Sequence, residues 1–218
     1  MHWGFEWPAA GVGLLVGLLA GSVIRPLLGR LRRGVRLRPG PLETVSALIT
    51  AAGVGLLWPE PTTAMAVWAG LLGVTLGSVD LVHHRLPDAI TLPAIPLTVL
   101  LLIAIQFAAP TAGSVLRALI VATLVTVAFW LLHRLSGRAL GRGDVKLVPS
   151  VALLTGFVSV AAAVLALAIA FVLGAVVAVL GLLTRRLSMT SAIAFGPFLL
   201  AGCWLVLAFP DLVVAVTR

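Results

Sequence analysis

Residues 147–183 form a run of 37 residues without a charged side chain. As one straight α-helix this run would extend roughly 55 Å at about 1.5 Å per residue, nearly twice the roughly 30 Å of hydrocarbon in a bilayer. It is therefore expected to fold back, around "LTGFVS" at 154–159. Further apolar runs lie near 9–29, 42–58, 63–82, 89–109, 113–133 and 190–209. With 61% hydrophobic and 10% charged residues and a mean hydropathy of +1.19, the chain is an integral membrane protein. The expected fold class is all-α: a polytopic bundle forming one membrane domain over residues 1–218, with about eight spans, or about seven if the long run is not divided.

Orientation follows from the basic residues, which in short loops stay on the cytoplasmic side. Eight spans bring 30–38, 83–85, 133–146 and 184–186 to a common side, and these segments hold 12 of the 15 Lys and Arg residues. Arg25 can snorkel from the end of the first span, while Arg117 and Arg218 fall on the opposite face. The net charge of +8 then reads as an orientation signal that also favours anionic headgroups of the lipid bilayer; no nucleic-acid partner is implied. The first apolar segment is too long for a secretory signal, has no basic region before it and is followed by arginines, so it is read as a span. Cys203 is the single cysteine, which excludes a disulfide framework or a cysteine zinc site.

Seven acidic residues remain to be assigned. Glu6, Glu60 and Asp211 read as solvated residues of the non-cytoplasmic boundary, and Glu43 suits the first turn of the second helix. Asp80, Asp88 and Asp144 all fall at cytoplasmic helix ends, where an ionisable group at membrane depth is costly and marks a functional site. Each also has a plain structural reading. Asp80 could pair with His84 or Arg85, and Asp88, after Pro87, could cap the next helix. Asp144 could cap the helix entering "VKLVPSVALL", with Pro149 fitting near its start. Gly141 and Gly143 allow unusual backbone angles or a close approach beside Asp144, and Lys146 is either a counter-charge or one more orienting charge.

Two aspartates at the ends of different helices are more informative than either alone. Brought together in a low-dielectric cleft they cannot comfortably both ionise, so the pair shares a proton. The ionised member can then deprotonate an attacking water while the protonated one donates to a scissile carbonyl. No metal or other cofactor is needed for that chemistry.

"D-x6-PD" from Asp80 to Asp88, "GRGDVKL" at 141–147 and "FGPFLLAG" at 195–202 resemble, in order, the motifs of bacterial type IV prepilin peptidases, aspartic proteases of the GxGD type. "GLLAGSVIRPL" at 17–27 is similar to a degraded form of that family's opening helix. The resemblance implies that Asp80 and Asp144 are the catalytic pair, and that Asp88 occupies a position filled by Asp or Asn without being the catalytic acid. Gly141, Gly143, Lys146, Pro87, Asp88, Gly196 and Pro197 are then expected to shape the site or bind substrate. The implied substrate is a prepilin or pseudopilin precursor, with a short basic leader ending in Gly before an apolar helix, cut at the cytoplasmic face of the inner membrane. Many members carry a cysteine-containing insertion between the first two spans and methylate the new amino terminus. Here that connection is "RLRRGVRLRPGPLE", so neither a zinc-binding insertion nor methylation by that route is expected.

Three other readings fit the residues less well. A metal site from His83, His84, His133 and Asp80 lacks an HExxH pattern, and adjacent histidines on one helix cannot aim both rings alike. Ser22, Ser136 and Ser191 have no histidine at a telling spacing, and Trp3, Trp7 and Trp58 read as an interfacial belt. An ion- or proton-coupled transporter could use the same aspartates, but both lie at one membrane face without an inverted repeat.

Overall fold

The computed structural model describes residues 4–31, 35, 37–83, 86–135, 141–185 and 195–217. Trp3, His84, Arg85, Ser136, Ser191 and Arg218 lie outside them, as does the side chain of His83. The described chain is helical with no strand: α1 Trp7–Arg30, α2 Pro41–Leu57, α3 Thr63–His83, α4 Asp88–Ala108 and α5 Val115–Leu135 come first. They are followed by α6 Arg142–Val158, α7 Val160–Leu183, α8 Gly196–Ala208 and α9 Asp211–Thr217.

The uncharged run does divide. Ser159 adopts an extended backbone, ends α6 and caps α7, its hydroxyl accepting from the Ala162 amide at 2.9 Å. The helices that qualify by length and apolarity alone are fewer than the eight spans expected. Among the described residues, α1, α3, α4, α5 and α7 are long and apolar enough to cross a membrane, with a sixth span if α8 and α9, bent by 88°, are taken together. The reason is length: α2 and α6 have 17 residues each and reach only about 26 Å, and α8 is shorter still. The final run near 190–209 is therefore a short helix, a sharp bend and a second short helix.

Packing cannot be read from hydropathy in this solvent, because lipid-facing and core-facing side chains are equally apolar. α7 exposes Val172, Val176, Leu180 and Leu183 outward, whereas α6 buries 11 residues, from Asp144 to Phe157. α6 is the central element, packed against α4, α5, α7 and α8, and Leu147, Val151, Leu154 and Phe157 join Leu76, Leu102 and Leu199 in the main core. α1 and α2 form a flanking pair. Gly13, Gly17 and Gly21 recur every four residues and bring the α1 backbone against α2, where a Cβ at Gly13 would lie 2.8 Å from the Thr50 carbonyl oxygen. Arg25 on α1 bridges to Glu43 in the first turn of α2 at 2.6 Å. Trp7 and Trp58 are exposed at the far end of this pair, where the Glu6 amide bonds the Gly55 carbonyl.

The prolines also depart from the sequence reading. Pro149 lies well inside α6 rather than near its start, and Pro93 and Pro96 lie inside α4. Membrane helices tolerate this because neighbouring helices and local adjustments accommodate the freed carbonyls.

Candidate active site

Asp80 lies in the last turn of α3 and Asp144 in the first turn of α6, 64 positions apart in the chain. Both are buried, at 4% and 7% exposure. Asp144 does not cap α6 as its plain reading expected: Gly141 is the cap, and Asp144 is the third helical residue. The carboxylate folds back over Gly141, where a Cβ would stand 2.9 Å from Asp144 Oδ2. A side chain is excluded there by this approach and not by backbone angle, since φ of Gly141 is −66°.

Gly196, the first residue of α8, is where the two acids meet. A Cβ at Gly196 would lie 3.4 Å from Asp144 Oδ1 and 3.4 Å from Asp80 Oδ2, so these oxygens are separated by no more than twice that distance. Gly141 and Gly196 both bring backbone close to the Asp144 carboxyl. Leu86, buried between α3 and α4, closes the wall: its side chain would be 3.2 Å from a Cβ at Gly196 and 3.1 Å from one at Gly143. Gly141 and Gly196 thus let two backbone segments approach the carboxyls, and Gly143 leaves room for Leu86. α6 and α8 both begin beside this point, and a helix N-terminus is a favourable setting for negative charge.

Asp88 is not the cap of α4 either; Pro87, which is buried, holds that position. Asp88 instead accepts from Lys146 Nζ at 2.7 Å, tying the start of α4 to the start of α6. Lys146 is thereby the counter-charge of Asp88, on the exposed side of the site. Pro197 opens α8 and lines an apolar cleft between α2, α3 and α8. Sequence reasoning missed Leu86 and this cleft. Leu86 carries no chemical signal, but the cleft had one: Gly70, Gly73, Gly77 and Asp80 are spaced by three, four and three, which puts them on one face of α3.

No cluster of three or more His, Cys, Asp or Glu that could hold a metal occurs among the described residues. The arrangement is suited to acid–base work by two carboxyls. Buried near each other, they hold one proton between them more readily than two charges.

Residues 65–179, from α3 into α7, match the type IV leader peptidase family. This stretch contains Asp80, Asp88, Gly141, Gly143, Asp144 and Lys146 and leaves out Gly196 and Pro197. A prepilin leader peptidase/N-methyltransferase from Dickeya chrysanthemi is 34% identical over 148 residues, 66% of this chain and 50% of the relative. The chain thus spans about half the length of that relative. No solved structure matches. Since the match extends over more than half of the chain and takes in both buried aspartates, the protein belongs to the type IV leader peptidase family.

Proposed function

We propose that this protein is an aspartic endopeptidase that removes the leader of type IV prepilins or pseudopilins at the cytoplasmic face of the bacterial inner membrane. The observation that carries the reading is the approach of Asp80 and Asp144 to one point beside Gly196, from helices that are remote in sequence. The family supports the substrate class, and the basic connections between helices support the orientation.

In this mechanism the ionised aspartate takes a proton from water as the water oxygen bonds to the scissile carbonyl carbon. The protonated aspartate gives its proton to the carbonyl oxygen. As the tetrahedral species collapses, the C–N bond breaks and the leaving nitrogen takes a proton from the dyad. The carbonyl re-forms as the hydroxyl returns its proton, leaving a carboxylic acid, an amine and a pair holding one proton as before. Helical peptide bonds are shielded by their own hydrogen bonds, so the substrate must be extended where it is cut.

The Dickeya relative is also named as an N-methyltransferase. The connection between α1 and α2 has no cysteine in this chain, and methylation is not part of the proposed activity. The test is incubation of the purified protein in detergent with a pilin-type precursor, reading the new amino terminus by mass spectrometry. A single cut after the leader supports the proposal, and the same spectrum shows any methyl group. Proton-coupled uptake in liposomes without cleavage would replace it with a transporter.

A further inference from the structure

The face of α3 that carries Asp80 does not stop at the acid. One turn before it stands Gly77, then Gly73, then Gly70, a strip about 10 Å long with no side chains. Above this strip is an apolar cavity of about 580 Å³ walled by α2 and α8, within the range of ligand sites. The cavity tapers. A Cβ at Gly70 would meet Ile49 Cγ1 at 3.0 Å and Trp204 Nε1 at 3.2 Å, one at Gly73 would meet Leu200 Cβ at 3.6 Å, and one at Gly77 would meet nothing within 4 Å. Space is thus left open at Gly77 and closes about two helical turns away. Gly77, one turn before Asp80 on α3, and Pro197, next to Gly196 on α8, line the same cavity, whose open end therefore lies about one helical turn from the site.

We propose that this cleft seats the first two turns of the substrate's apolar helix, on the far side of the cut bond from the leader; the inference rests on the peptidase reading above. Three observations select this occupant. The lining is almost wholly apolar and so fits a membrane helix. The strip of glycines admits close helix contact, the usual way in which membrane helices associate. Arg38 is the charged side chain on the lining, near the start of α2, and it repels a basic leader while leaving an apolar helix unaffected. The leader is accordingly expected outside the cleft, away from Arg38.

The test begins with the native protein and a pilin-type precursor in detergent, to establish cleavage. An inactive Asp144→Asn protein is then mixed with precursors carrying a photo-reactive benzoylphenylalanine, placed either in the first two turns after the cut bond or in the leader. After illumination, mass spectrometry locates the attached peptides. The expected result is attachment of the helix positions to α2, α3 and α8 and of the leader positions elsewhere. If the native protein cleaves but the helix positions attach to α4 or α5, or attach nowhere because lipid fills the cleft, the inference is overturned while the peptidase reading stands. If the native protein does not cleave, the peptidase reading falls first. Independently, Gly73→Leu should raise KM roughly tenfold, with the loss falling on KM rather than kcat, because it removes uniform binding. A drop in kcat at unchanged KM would count against the cleft.

Discussion

At its C-terminal end α6 gives the carbonyls of Gly156, Phe157 and Val158 to the guanidinium of Arg117; at its N-terminal end it buries Asp144 beside a second acid. Arg117 comes from α5 and reaches Gly156 at 2.9 Å and Val158 at 2.7 Å, while the Ser114 amide bonds the Phe157 carbonyl at 3.1 Å. That end closes helix carbonyls that would otherwise lie unsatisfied, and a cation at a helix C-terminus is favourable besides. The opposite end does the reverse: it brings two buried carboxyls near one point, where they hold one proton more readily than two charges. Burial of charge that lowers stability is the mark of a site kept for chemistry. The two ends teach that a charged residue at membrane depth must be judged by what it meets, not by its cost alone.

The largest effect is expected at the acid end. Asp80→Asn and Asp144→Asn should each lower precursor cleavage at least about a thousandfold, as loss of acid–base catalysis does. The melting temperature of the Asp144→Asn variant in detergent should hold or rise, because a buried carboxyl near a second one is replaced by a neutral amide. Substantial activity in either purified variant would end the dyad reading.

Arg117→Met should act in the opposite sense. Loss of charge-assisted hydrogen bonds to α6 should cost roughly 2–4 kcal/mol of stability, seen as a lower unfolding temperature, while the protein that remains folded cleaves within about twofold of native. Full stability together with lost cleavage would erase the contrast between the ends. Gly196→Ala tests the acid end more finely. The added methyl would press on Leu86 at 3.2 Å and touch both carboxyls, so cleavage should fall roughly tenfold with little change in unfolding temperature. The smallest effect belongs to the Lys146–Asp88 pair, which is partly exposed; Lys146→Met should cost under about 1 kcal/mol, and less at high salt.

Much of the candidate site was legible before any fold was known. Asp80, Asp144, Gly141 and Gly196 stand in strings whose residue types suit the proposed chemistry, and the structure brings these four close together, with Gly143 against Leu86. The capping readings of Asp88 and Asp144 failed for a local reason: Pro87 and Gly141 took the cap positions, moving each acid into the first turn. Leu86 was illegible because an apolar residue in an apolar chain carries no signal until its neighbours are known. The glycine face leading to Asp80 was legible in "GLLGVTLGSVD" but needs the cavity above it to acquire meaning.

From its residues alone this chain is bound to a bilayer, to helices of nearly known extent and to a break near residue 159, because hydrophobicity and helix length act locally. Packing determined the rest: α6 at the centre, Lys146 with Asp88 rather than with Asp144, and two acids 64 positions apart converging beside Gly196. Distances between groups remote in the chain depend on how helices fit together, and in lipid no hydrophobic contrast marks in advance which face turns inward.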